Sequence, residues 1–190
     1  MSQDKLIKDI NTKYQDLGEN PDPYLSGLRY TNPVNYWDYC EVDTLLTLQK
    51  PKTFLQDENV FIMYHQVNEL LFKMILSEIE QVSNEDSITL DFFVSKLGRI
   101  NRYFDVLISS FAIMKYGMDV DQYMKFRDAL TPASGFQSVQ YRKIEIACTD
   151  LNNLIDARYK DKADEIIGLQ SKIDHLYWQA AGKDYKTGKK

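Results

Sequence analysis

Residues 57–82, DENVFIMYHQVNELLFKMILSEIEQV, read as one long helix that is apolar on nearly every side yet carries polar groups within the apolar run. Phe61, Tyr64, Val67, Leu71, Met74, Ile75, Leu76 and Ile79 recur at helical spacing, and Ile62, Met63, Leu70 and Phe72 fill most of the remaining circumference. A helix of this kind belongs at the centre of a bundle. His65, Gln66 and Glu69 then need partners, because a polar group taken from water without a hydrogen bond costs several kcal/mol. Two readings of His65, one of only two histidines in the chain, follow. It is a satisfied core residue, paired with Glu69 or donating to a carbonyl, or it faces a pocket.

Outward from this helix the pattern stays helical. A polar turn, 83–89, leads to a second long helix, Leu90–Met118, with Gly117 as its stop. Val120–Leu130 follows, with Tyr123 and Arg127 four apart on one face, then the loop TPASGFQS (131–138) and helices predicted over Val139–Tyr159 and Lys162–Ala181. Lys183–Lys190 reads as a frayed basic tail. Towards the N-terminus a helix spans about Asn35–Gln49 and stops at Pro51. Before it, Glu19–Pro33 holds three of the five prolines and reads as an extended arm able to cross to another subunit, preceded by a short amphipathic helix over 3–17. The expected fold is all-α, an irregular bundle of long helices with a Pro-rich N-terminal arm. One domain over 1–190 is expected: helix and arm in 1–34, core bundle with the pocket motifs in 35–160, and a C-terminal helix and tail in 161–190.

Composition narrows the function. A net charge of -5 offers no attraction to a phosphate backbone or an anionic bilayer, so neither nucleic acid nor membrane is an expected partner. Two cysteines, Cys40 and Cys148, sit in no ligand spacing, which points away from a disulfide scaffold or zinc site and towards a reducing cytoplasmic setting. The N-terminus lacks the apolar run of a signal peptide. Glycine-rich nucleotide loops, the nucleophile elbow and HExxH are all missing.

The residues suited to chemistry are His65, Phe61 one turn before it, Tyr123 with Arg127, the SGFQS loop and the aromatic stretch from Tyr36 to Tyr39. A guanidinium offers two parallel donors and a phenol a third, a set that fits a carboxylate at the mouth of an aromatic cavity. The alternative is an Arg127 paired with Asp128 or another surface acid, with the aromatics simply core.

Three runs in order, YWDYCEVDTLLTLQKP (36–51), DENVFIMYHQVNELLFKMILSEIE (57–80) and FRDALTPASGFQSVQYRKIE (126–145), resemble the tryptophan 2,3-dioxygenase family. The third run is the most specific; residues 146–190 match loosely. The resemblance implies an all-α, haem b-containing homotetramer that inserts both atoms of O2 across the indole C2–C3 bond of L-tryptophan, giving N-formylkynurenine. It implies a distal, catalytic role for His65 against the indole N–H, with Phe61 beside it, and a carboxylate clamp of Arg127 and Tyr123. Ser134 and Gly135 correspond to the loop passing close to the haem. Tyr36, Tyr39 and Cys40 match a segment lining the pocket from an adjacent subunit, with Cys40 where an apolar residue is common. The family's proximal haem histidine lies further towards the C-terminus than Lys190, and His175 does not sit in its motif but reads as a partly exposed surface residue. The resemblance thus implies the N-terminal part of such an enzyme or a shortened member, with no metal ligand of its own. A different class, a non-catalytic helical module binding an aromatic amino acid or a partner chain, is the alternative.

Overall fold

A computed structural model describes residues 2–187. They form helices joined by turns, with no strand among the described residues beyond one isolated antiparallel bridge, Ile155 to Leu176. The chain divides into two compact units, residues 1–48 and 49–190.

The first unit consists of short helices with little core. Helix α1 (Gln3–Asp16) starts where the Ser2 hydroxyl accepts from the Lys5 amide, and ends at Gly18, whose φ of +71° suits a residue without a Cβ. The arm predicted as extended contains a helix, α2 (Asp22–Gly27), because Pro23 occupies the first turn, where its missing N–H is no loss. The helix predicted over 35–49 is broken into α3 (Tyr36–Tyr39) and α4 (Val42–Leu45) by Glu41, which takes a left-handed conformation with φ 50°. Asn35 caps α3 by accepting from the Asp38 amide at 2.9 Å.

The second unit is built on two 27-residue helices, α5 (Asp57–Ser83) and α6 (Leu90–Tyr116), packed against each other. Thr89 caps α6, and Gly117 ends it: an added Cβ there would lie 2.7 Å from the Ile113 carbonyl oxygen. Next come α7 (Val120–Arg127), a 3-10 turn at 128–130, another at 135–137, and α8 (Val139–Cys148). Ile75, Ile100 and Ile144 form the core where α5, α6 and α8 meet, surrounded by Phe72, Leu76, Ile79, Tyr103, Phe104 and Leu107. Beyond Cys148 the predicted helices break up. Thr149 is extended and Asp150 opens a 3-10 turn at 151–154; a longer 3-10 stretch covers 157–165, and Gly168 at φ +92° separates it from α9 (Leu169–Asp174). Helix α10 (Tyr177–Thr187) takes in part of the predicted tail; residues 188–190 lie outside the described residues.

Two buried carboxylates hold the frame. Glu78 on α5 meets Lys96 Nζ and Arg99 Nη2 of α6, each at 2.9 Å, so the charge is paired rather than stranded. Fully buried Glu58 accepts from the Lys52 and Thr53 amides at 2.6 and 2.7 Å and from the Thr53 hydroxyl at 2.6 Å, tying the preceding loop to the start of α5. Burial pushes the Glu58 carboxyl up, but these hydrogen bonds outweigh it and hold the group below its ordinary 4.5.

The α5 helix is not sheathed on all sides as its composition predicts. Tyr64, Leu71 and Ile75 are buried, whereas Met63, Val67, Leu70 and Met74 are exposed, because α6, α7 and α8 cover only part of its circumference. No helix among the described residues is long and apolar enough to cross a membrane.

Candidate functional site

The start of α5 is fastened to the start of α7. Asp57 Oδ2 accepts from the Asp119 amide at 2.6 Å, and Gln122 Oε1 accepts from the Asp57 amide at 3.3 Å, while Asp119 Oδ1 caps α7 through the Gln122 amide. Fully buried Phe126 fills the seam, its ring edge-on to Phe61 and Tyr123 at 5.5 Å from each. This fixes the α5 face carrying Phe61 and His65 opposite the α7 face carrying Tyr123 and Arg127. Between them lies a cleft of about 590 Å3 that also takes in Leu130, Ser134 and Gly135.

His65 shows part of each reading: its ring is held by a carbonyl of its own helix, and it lines the cleft. Its Nδ1 sits 2.8 Å from the Phe61 carbonyl oxygen, which only accepts, so Nδ1 carries a proton, and in the neutral form of the ring the lone pair is on Nε2. The ring is exposed and packs 4.2 Å from Phe61. Glu69 does not take His65; its carboxylate and its own carbonyl each accept from Gln140 Nε2 at 2.8 Å, which anchors the start of α8. His65 therefore has a satisfied donor and, in its neutral form, an acceptor at the cleft that takes no partner among the described residues, suited to receive a hydrogen bond.

The clamp residues are equally available. Arg127 is exposed, lies 5.8 Å from the Tyr123 ring and donates to Met124 Sδ at 3.8 Å. Among the described residues Arg127 forms no ion pair, with Asp128 or any other acid, and the Tyr123 hydroxyl has no hydrogen bond. A cation and a phenol left uncommitted on one wall of a cleft match the donors a carboxylate needs.

Ser134 and Gly135 sit at a 3-10 turn braced by a capping box, in which Ser134 Oγ accepts from the Phe136 amide and Gln137 Oε1 from the Ser134 amide. A Cβ on Gly135 would meet nothing within 4 Å, so no packing within the chain demands glycine there. Both residues also line a second cleft of about 530 Å3, shared with His65 and walled by Phe72, Phe136, Tyr141, Arg142 and Tyr177. Sequence reasoning named the SGFQS loop that carries Phe136 but missed Phe72, Tyr141, Arg142 and Tyr177 as walls. Their signal is the aromatic run of 136 and 141 beside Arg142, legible only once α8 and α10 are brought together.

Other candidates lie outside α5, α7 and the 131–138 loop. Tyr36, Tyr39 and Cys40 belong to the 1–48 unit, where α3 leaves the two phenols 77% and 80% exposed and the thiol free. His175 donates Nδ1–H to the Ser171 carbonyl at 2.7 Å and sets its ring edge-on to Tyr159, and it lines neither cleft. No cluster of His, Cys, Asp or Glu able to hold a metal ion occurs among the described residues.

Fold and site thus define a helical-bundle protein with an open histidine-bearing cleft and an uncommitted arginine and tyrosine on its wall. The family model for tryptophan 2,3-dioxygenase matches residues 27–173, and the chain belongs to that family. It is 34% identical over 139 residues to a tryptophan 2,3-dioxygenase of Ruegeria sp. (strain TM1040), covering 72% of this chain and 49% of that protein. A relative of the same name from Sorangium cellulosum (strain So ce56) is 36% identical over 135 residues, covering 65% and 32%. One from Pseudomonas aeruginosa (strain UCBPP-PA14) is 30% identical over 149 residues, covering 78% and 51%. The chain spans about half, or less, of the length of these curated relatives.

Proposed function

We propose that this chain builds the tryptophan-holding face of a haem-dependent tryptophan 2,3-dioxygenase, an oxidoreductase that opens the indole ring of L-tryptophan with O2 to give N-formylkynurenine. The observation that carries the reading is the uncommitted Arg127 and Tyr123 facing the bare Nε2 of His65 across one cleft. Arg127 takes the substrate carboxylate through parallel N–H donors, with the Tyr123 hydroxyl as a further donor. His65 Nε2 accepts the indole N–H, its tautomer fixed by the Phe61 carbonyl, and Phe61 backs the ring. Held at both ends, the indole is presented in one orientation, and catalysis here is positioning.

The clefts fit a flat macrocycle on one side. Ser134 and Gly135 border both, Gly135 leaves open the space a side chain would fill, and Phe72, Phe136 and Tyr141 supply apolar walls. The oxidising chemistry is supplied by haem b when it is bound. Tyr36, Tyr39 and Cys40, on an exposed helix, are proposed to line the pocket of an adjacent subunit in a homotetramer working in the cytoplasm. Titration of the protein with ferric haem tests the reading: a saturable, one-to-one complex with a Soret band distinct from free haem is expected, and a spectrum identical to free haem overturns it.

A further inference from the structure

The second cleft is bordered by a cluster centred on Arg142, and the proposed chemistry uses neither that guanidinium nor its partners Glu145, Tyr177 and Trp178. The Arg142 side chain is only 12% exposed, and its guanidinium carbon lies 4.7, 4.9, 5.3 and 5.9 Å from the ring centroids of Tyr141, Trp178, Tyr177 and Phe136. Arg142 Nη1 donates to the Tyr177 hydroxyl, which donates in turn to Glu145 Oε1 at 2.7 Å. The same Nη1 is 2.9 Å from Glu145 Oε2, an ion pair by distance, although among the described residues neither that oxygen nor Arg142 Nε makes a directed hydrogen bond. Burial, and after it the bond to Glu145, push the Tyr177 hydroxyl up, so it stays protonated and keeps donating. These rings come from the 135–137 turn, α8 and α10, and Tyr177 and Trp178 lie beyond the 27–173 match to the family.

The loop that borders both clefts is exposed throughout Thr131–Gln137 and braces itself through its own hydrogen bonds. Phe136 reaches out of it, against the Arg142 guanidinium and edge-on to Tyr177 at 5.8 Å. A flat cation lying over these rings and tied to a carboxylate and a phenol is a seat for such a side chain; a lysine ammonium, a point charge, presents no such plane.

We infer that Arg142, fixed by Glu145 and Tyr177, is a positioning residue that seats Phe136 and thereby sets Ser134 and Gly135 beside His65, making α10 part of the site. The inference rests on the proposed use of the cleft. Amide hydrogen exchange on the full chain, with Arg142→Met and Arg142→Lys, tests it. Exchange at 133–138 rises about 10-fold in both variants, as befits loss of the ring contacts, while the core around Ile75 and Ile100 is unchanged. Ferric-haem affinity falls about 5-fold or more in parallel, since each tenfold needs little more than one such contact. Unchanged loop exchange, an equal rise across the whole unit, or wild-type behaviour in Arg142→Lys overturns the inference. If the wild type takes up no haem, the reading of the cleft fails, while the exchange pattern still decides the role of Arg142.

Discussion

Arg127→Ala removes a guanidinium whose neighbours are known in detail. The side chain is exposed, its Met124 contact is long at 3.8 Å, and it leaves no buried acid behind, so folding stability should change by less than about 0.5 kcal/mol. A substrate carboxylate held by parallel charged donors loses a hydrogen bond to a charged group, worth about 1.5–3 kcal/mol. That is a weakening of L-tryptophan binding by roughly 10-fold to 150-fold, since about 1.4 kcal/mol is a factor of ten. Calorimetric titration of haem-loaded wild type and variant with L-tryptophan measures it, and tryptamine, which lacks the carboxylate, is the control. Tryptamine affinity should be the same in both proteins. Equal losses for the two ligands, or a melting temperature lowered by several degrees, would show Arg127 to be structural and refute the clamp.

Three further outcomes follow from the same geometry. His65→Ala should leave the melt nearly unchanged, because the ring is exposed and bonded only within its own helix, and should weaken L-tryptophan by about 0.5–1.5 kcal/mol but 1-methyltryptophan hardly at all; equal losses for both ligands would remove the indole N–H contact. Gly135→Val, with no atom within 4 Å of its Cβ, should fold like wild type yet lose haem affinity by occupying the cleft, as titration would read; undiminished affinity would mean that no ligand approaches this residue. Glu58 has a folded-state pKa below its ordinary 4.5, so its contribution to stability is full above that value and is lost as the pH falls through the lower folded one. Glu58→Gln should therefore cost about 1–3 kcal/mol at neutral pH, a gap in urea melts that closes in acid; a gap that stays constant would show the carboxylate charge to be irrelevant.

The long elements were legible because their signals are local and repeated. Helix α5 was predicted to end at Val82 and ends at Ser83, and α6 stops where Gly117 has to pass the Ile113 carbonyl. Breaks set by single backbone conformations were not legible: Glu41 is no obvious left-handed residue, and Thr149 and Gly168 interrupt otherwise periodic runs. The polar positions on α5 left a satisfied core residue and a pocket both open; Phe61, His65, Tyr123, Arg127, Ser134 and Gly135 line one cleft. Which partner each polar group takes was not legible. Glu69 is four residues from His65 but is claimed by Gln140, 71 positions away, and Arg142 meets Tyr177 only through the packing of α8 with α10. The exposure of Met63, Val67, Leu70 and Met74 was likewise hidden, since apolar content does not say how many neighbours are at hand.

The chemistry itself is open to one direct measurement. Haem-loaded protein purified from its natural source, given L-tryptophan and isotopically heavy O2, should yield N-formylkynurenine carrying both heavy atoms, with the yield abolished or strongly reduced by Arg127→Ala and little affected by substitutions at exposed Met63. Product carrying a single heavy atom, or no oxidation of tryptophan by fully haem-loaded protein, would contradict the proposed dioxygenase.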